Sequence, residues 1–356
     1  MLFLFMIKKK ILVAPLNWGL GHATRCIPII HALQQDGFEP VLASDGDALE
    51  LLKKEFPSLK TYQLPSYKIK YSKKSYFFKL KFLFRSSYLI QAIRNERLAT
   101  QQIHEKENLD GIISDNRLGV RIPEVKSVYM THQLHVLSGS TTFFTTWAHQ
   151  YFIKKFDTCW VPDVEFSPSL SGRLGHFIRK KKFEVNYISP LSRFSKEELP
   201  LKYDLMFILS GPEPQRSLLE KKLRKEIRGS EKNILFICGK MEKESKKSQE
   251  GNTVFYNFLI GKELETAFNQ SDLIIARSGY TTLMDVAKLE KKAFFIPTPG
   301  QEEQKYLAQR LRRKKIAPSC KQSEFRLALL KDIHDFSGFT AVNPNPLTLR
   351  SFFQFF

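Results

Sequence analysis

Cysteine is scarce in this chain, and the four copies stand far apart. Cys26, Cys159, Cys238 and Cys320 form no CxxC pair and no Cys/His spacing suited to zinc, which points to a reducing cytoplasm and to thiols that simply pack. Long apolar runs are also lacking. The opening MLFLFM gives way to Lys8, Lys9 and Lys10, too early for a spanning helix and without a small-residue cleavage site, and no later run reaches membrane-spanning length. Acid is in short supply, with 36 acidic residues against 56 basic ones and a net charge of +20. Such an excess suits nucleic acid, an anionic membrane or a phosphorylated substrate. No helix-turn-helix, zinc-finger or RNA-binding signature is present, so anionic lipid fits better and nucleic acid ranks last. The expectation is a cytoplasmic protein that can sit on the inner face of the membrane.

What is present is enough for two cores. A chain of 356 residues with 42% hydrophobic content accommodates two similar α/β domains. The most telling stretch is residues 272–304, DLIIARSGYTTLMDVAKLEKKAFFIPTPGQEEQ. Its apolar run 273–276 has the length of a buried parallel strand. Arg277-Ser278-Gly279 breaks that run, and Thr281 and Thr282 offer hydroxyls where a helix would begin. Residues 293–296 form the next strand, stopped by Pro297 and Pro299. A strand, a glycine turn and a helix start point backbone N–H groups at one spot, which suits a phosphate. Asp285, one turn further on, can reach ribose hydroxyls. On spacing alone an ordinary structural βαβ unit fits equally well.

The first half repeats this logic. Residues 11–14 form a strand and are followed by PLNWGLGHATR, in which Gly19 and Gly21 let backbone approach a ligand. Thr24 stands where a dinucleotide fingerprint needs its third glycine. His22 opens the next helix, and a helix N-terminus keeps a histidine neutral and able to take a proton; a polar cap near solvent is the plainer reading. Residues 41–44 are a second strand running into Asp45-Gly46-Asp47, where Asp47 reads as a helix cap rather than a metal ligand. Residues 110–117 form another strand with a polar end. Strand ends of a parallel sheet share a rim, so Asp115 and His22 can meet there, although a turn aspartate bonding its own backbone fits as well. His132 and His135 lack a third metal ligand; His132 and Gln133 are acceptor-side candidates or simple loop polarity. Residues 156–163 read as the last strand of this half and 187–194 as the linker. The basic, aromatic stretch 67–88 contains no acid and suits a headgroup interface, or else a helix with solvated lysines.

The RSGYTT…PTPGQEEQ segment and the GLGHATR loop resemble the matching motifs of the MurG-like glycosyltransferases, the group with a glycosyltransferase family 28 C-terminal domain. Arg277, Ser278, Gly279, Thr281, Pro297 and Gln304 match, while Asp285 stands for a glutamate and Lys305 for a second glutamine. The resemblance implies a GT-B fold, two doubly wound Rossmann-like domains facing a central cleft. Residues 1–192 would bind the acceptor, residues 193–340 the nucleotide sugar, and residues 341–356, ending in SFFQFF, have no reading. It also implies transfer of a sugar, an N-acetylhexosamine, from a UDP-sugar to an acceptor hydroxyl by an inverting route with neither cofactor nor metal. His22 would be the base, with Asp115 holding its tautomer. Ser210, Gly211 and Arg216, in the loop after the strand at 205–209, would contact donor phosphate together with the Arg277 turn. Leu259 and Ile260 would lie near the base, Asp285 would anchor ribose, and Gln301 and Gln304 would hold sugar hydroxyls. Gly19, Gly21, His132 and Gln133 would face a lipid-linked or glycan acceptor. The likeness fades beyond Ala317. Two rivals share the fold: a UDP-N-acetylglucosamine 2-epimerase, whose His/Glu arrangement is not recognised here, and a nucleotide-sugar-binding subunit without catalysis.

Overall fold

The computed structural model describes residues 8–67, 78–166, 168–176, 183–240, 242–339 and 349–356. Residues 68–77 of the basic, aromatic stretch and 341–348 of the tail lie outside the described residues. Two parallel sheets organise the chain. The first holds β1 (Lys10–Pro15), β2 (Glu39–Ser44), β3 (Thr61–Gln63), β4 (Gly111–Asp115), β5 (Lys126–Met130), β6 (Thr158–Val161) and β7 (Val185–Tyr187). Their order is β3-β2-β1-β4-β5-β6-β7. The helices between them are α1 (Gly21–Gln35), α2 (Gly46–Glu55), α3 (Phe78–Glu107), α4 (Thr142–Ile153) and α5 (Arg173–His176). The strands read as continuous apolar runs, Ile11 to Ala14 and Ile112 and Ile113 for example, because both faces of the sheet are covered.

The second sheet holds β8 (Tyr203–Ile208), β9 (Ile234–Ile237), β10 (Lys247–Glu250), β11 (Thr253–Tyr256), β12 (Ser271–Ala276) and β13 (Lys292–Phe295), in the order β10-β11-β9-β8-β12-β13. Its helices are α6 (Gln215–Ile227), α7 (Gly261–Asn269), α8 (Tyr280–Lys288) and α9 (Glu302–Arg313). In both sheets the strand order reverses between a first strand and a later one, at β1/β4 and at β8/β12. At such a reversal the loops leave in opposite directions and open a crevice at the carboxyl ends. Two doubly wound domains face each other, as the fold expectation requires.

Some local expectations fail for clear reasons. β10 is an exposed edge strand, made antiparallel to β11 by the tight turn at Gly251. Tyr187, expected to begin the linker, instead ends β7, which pairs with β6 as a seventh strand, so the crossing to the second sheet begins after it. Asp45, rather than Asp47, occupies the N-cap position of α2, and its carboxylate goes to Arg117 and Asn17 instead of the helix.

The SFFQFF tail acquires a reading. It forms α10 (Arg350–Phe353) and lies back on the first domain. Phe352, Phe353 and Phe356 ring Trp160 at centroid distances of 5.9, 6.4 and 6.1 Å, and Phe353 also meets Phe38 at 5.9 Å. Gly111 is required beneath it, since a Cβ there would fall 2.2 Å from the Phe356 ring. Lys9 and Lys126 donate to the Phe356 and Phe355 carbonyls, both at 2.9 Å. Phe353 is 2% exposed, so Phe353→Ala is expected to cost about 3–5 kcal/mol of stability. Urea denaturation measures this, and a loss under about 1 kcal/mol would show that the tail is not part of the core.

Candidate active site

The crevice of the first sheet is built around a buried ion pair. Pro15 and Asp115 are register partners at the ends of β1 and β4. Arg25, one turn into α1, donates Nε–H to Asp115 Oδ2 at 2.7 Å and Nη2–H to Oδ1. Burial alone would raise the Asp115 carboxyl, but the Arg25 and His22 charges outweigh it and hold it well below the ordinary range. His22, on the first turn of α1, places Nδ1 3.1 Å from Asp115 Oδ1 and 2.8 Å from Arg25 Nη2. Burial lowers the His22 pKa, with Asp115 opposing and Arg25 reinforcing the shift. The neutral ring expected from the sequence therefore rests mainly on desolvation.

Other residues join from β5 and from the second domain. His132 Nδ1 lies 2.9 Å from Arg25 Nη1, and its Nε2 lies 2.9 Å from Glu303 Oε1 on α9. Gln133 donates to the other Glu303 oxygen. Burial would raise the Glu303 carboxyl, but His132 brings it below its ordinary value. The His132 ring stacks on Tyr280 with centroids 4.3 Å apart, and Tyr280 in turn donates its hydroxyl to the Pro162 carbonyl at 2.8 Å. Arg25, Asn116 and Glu303 had no place in the sequence reading. Arg25 and Asn116 stood beside residues already singled out, within GLGHATR and DNR, but only the fold shows that they touch His22.

The helix starts of the two domains meet across the cleft. Thr281 Oγ1 on α8 donates to the Gly21 carbonyl on α1 at 3.0 Å. A Cβ at Gly21 would lie 2.9 Å from that hydroxyl, which is why this loop needs glycine there. Gly19, with φ +77°, turns the chain into α1 and faces open space. The N-cap of α8 is Gly279, with no side-chain cap and nothing within 4 Å of the Cβ position. The first intrahelical bond there is Leu283 N–H to Gly279 O, so the N–H groups of Tyr280, Thr281 and Thr282 precede it. Neither threonine hydroxyl caps the helix, contrary to the sequence expectation. A second opening between the domains, about 310 Å³, lies between Leu137 and Thr142 on one side and Lys305 and Tyr306 on the other.

Several expected donor contacts are engaged elsewhere. Arg277, 1% exposed, gives its guanidinium to the carbonyls of Ile296, Pro297 and Gln215 and to Gln322 Oε1. Burial lowers its pKa to about 10. Its charge thus ties the domain interior together. Arg216 is likewise held by Glu213, Glu220 and the Cys238 carbonyl. Ser278 Oγ donates to the Gln304 carbonyl at 2.8 Å, and the Gln304 side chain bridges Thr298 N–H and Gln301. Ser210 and Gly211 are exposed at the end of β8, Leu259 is 9% exposed in the core, and Ile260 caps α7. Asp285 accepts from Ser192 Oγ at 2.8 Å, so its carboxylate meets the interdomain linker rather than open cleft.

Comparison with known proteins agrees with this fold. Residues 207–336 match the glycosyltransferase family 28 C-terminal domain, so that likeness runs well past Ala317. The spinosyn forosaminyltransferase SpnP is similar at 13% identity and a TM-score of 0.64, covering 97% of this chain and 98% of that chain. The spinosyn rhamnosyltransferase SpnG complexed with thymidine diphosphate is similar at 14% identity and 0.62, covering 97% and 100%. MurG of Acinetobacter baumannii is similar at 17% identity and 0.51, covering 96% and 92%. No curated protein sequence matches the chain significantly. The fold these observations define is that of the GT-B glycosyltransferases. Within that fold the second domain carries the match to the family 28 C-terminal domain, over residues 207–336.

Asp285 yields a stability prediction. Burial raises its pKa to about 6, with Arg193 and Ser192 opposing. A carboxyl raised in the folded state stabilises the fold below its unfolded pKa, and that contribution is lost as pH rises through about 6. The loss between about pH 4 and pH 6 is roughly 2–3 kcal/mol. Asp285→Asn is therefore expected to melt higher than wild type at pH 8 and alike at pH 4. A mutant no more stable at pH 8 would show that the charge is well tolerated where it lies.

Proposed function

We propose that the protein transfers an N-acetylhexosamine from a UDP-sugar to an acceptor hydroxyl, with inversion and without a metal. The observation that carries this reading is the meeting of the open α8 start with the His22 rim. Backbone N–H groups at a helix start stabilise a diphosphate, and SpnG, of the same fold, is seen complexed with thymidine diphosphate. Ser210 and Gly211, at the matching end of β8, complete the phosphate side, and Leu259 and Ile260 lie toward the base. His22 Nε2 takes the acceptor hydroxyl proton as the oxygen bonds to the anomeric carbon. The bond from that carbon to the diphosphate breaks on the opposite face, and the departing charge is met by the α8 N–H groups. His22 then returns its proton to solvent.

An anionic membrane is proposed as the surface on which the enzyme works. Phe143, Phe144, Trp147 and Tyr151 of α4 are 72%, 67%, 63% and 50% exposed, on one side of the helix. Lys155 lies over the Tyr151 ring at 4.5 Å, beside Lys154. Aromatic rings flanked by lysines suit a headgroup layer. Among the described residues no helix is long and apolar enough to cross a membrane.

A donor panel read by thermal shift tests the first claim. The true donor at a hundred times its dissociation constant adds about 2.7 kcal/mol. His22→Ala is expected to slow transfer about 10²–10⁴-fold with donor affinity kept. Full turnover in that variant rejects His22 as base. Formation of an epimerised UDP-sugar without acceptor supports the isomerase, and binding with neither transfer nor hydrolysis supports the non-catalytic subunit. For the membrane, Phe144→Ser with Trp147→Ser should release the protein from phosphatidylglycerol vesicles at low salt. A wild-type protein that does not sediment with those vesicles rejects the membrane reading.

A further inference from the structure

Arg25 touches Asp115, His22 and His132, the three ionisable side chains that the ends of β1, β4 and β5 bring together. Its guanidinium is 2% exposed and has three partners: the Asp115 carboxylate, His22 Nδ1 at 2.8 Å and His132 Nδ1 at 2.9 Å. A guanidinium donates and never accepts. An Arg25 N–H aimed at His132 Nδ1 leaves that nitrogen bare and puts the ring proton on Nε2, where Glu303 Oε1 receives it at 2.9 Å. His22 is placed differently, because its Nδ1 has a donor and an acceptor within reach. Asp115 Oδ1, at 3.1 Å, holds a proton on Nδ1; without one, the lone pair is met by Arg25. Both neutral tautomers are thus satisfied without turning the ring. The doubly protonated ring is not, since it sets a full positive charge against the guanidinium.

We propose that Arg25 is the positioning residue of this site, aligning Asp115 with both imidazoles and opposing a second proton on His22 so that the base stays neutral. The proposal rests on the reading of His22 as the base. The charged and titratable groups facing His22 are Arg25 on α1, Asp115 at the end of β4, His132 after β5 and Glu303 on α9. Asp115 and Glu303 favour a positive His22; Arg25, together with any charge on His132, opposes it. Burial of the ring acts in the same direction as Arg25. Without Arg25, the Asp115 carboxylate acts on His22 unbalanced.

The test is titration of ¹³C/¹⁵N-labelled histidine by NMR, beside kcat/KM against pH, in wild type, Arg25→Gln and Arg25→Lys. Wild-type His22 should titrate below the ordinary histidine value, and titration above it overturns the proposal without any variant. Arg25→Gln keeps a donor but loses the charge, so His22 should titrate higher by about one pH unit. A base must be neutral to work, so the acid limb of kcat/KM should move up by the same amount. Arg25→Lys keeps a charge but cannot reach three partners at once. Its His22 titration should stay near wild type while kcat falls about tenfold or more, and His132 should lose its single Nε2–H tautomer in the ¹⁵N spectrum. A folded Arg25→Gln whose His22 titrates as in wild type overturns the proposal. If Arg25→Gln does not fold, a fixed His132 tautomer and full kcat in Arg25→Lys overturn it instead. A moved titration with an unmoved acid limb leaves the positioning role standing and rejects His22 as the base.

Discussion

The pairing of Arg25 with Asp115 is the constraint on which the first domain's rim depends. Both charges are out of water, at 2% and 0% exposure, and a buried charge left without its partner typically costs about 3–5 kcal/mol. The pair joins the helix after β1 to the end of β4, the two elements on either side of the strand-order reversal. A second buried set repeats the device nearby, with Arg117 between Asp45 and Glu96. Matched charges therefore fix the loops after β1, β2 and β4, and the imidazoles are held by groups that cannot relax without exposing or orphaning a charge.

The two domains bring different materials to the cleft. On the first, ionisable side chains are set against one another at hydrogen-bond distance. On the second, the cationic side chains are withdrawn into the interior, Arg277 onto carbonyls and Arg216 onto carboxylates. Besides the Glu303 carboxylate and the Thr281 hydroxyl, what that domain offers the cleft is backbone, at the open start of α8. A helix start carries partial positive charge without a side chain that must be ordered each time a ligand binds. An anion held in this way also leaves the site without breaking an ion pair.

Much of this was legible in the sequence because parallel strands and glycine turns leave strong local marks. The apolar runs at 11–14 and 273–276, and Gly21 and Gly279 before their helices, give both reversals. His22 and Asp115 could be paired because strand ends of one sheet share a rim. The roles of Arg277, Arg216 and Asp285 could not be read in the same way. A motif fixes where a residue stands on its element, but not whether its side chain turns outward to the cleft or inward to carbonyls. Arg25 escaped notice because an arginine on a helix is ordinarily solvated. Only the packing of α1 across the ends of β1 and β4 removes it from water. Glu303 escaped because its partners lie on the other domain, 170 residues away in Gln133.

The last described residues, 349–356, pack on the first domain, although α9 and β13 before them belong to the second. The first domain's core therefore contains rings that follow the second domain in the sequence. A first domain cut off at the linker would keep Trp160 and Gly111 but lose Phe352, Phe353 and Phe356, which cover them. Order along the chain and membership of a core are thus different partitions of this protein, and the first domain becomes whole only with residues 349–356.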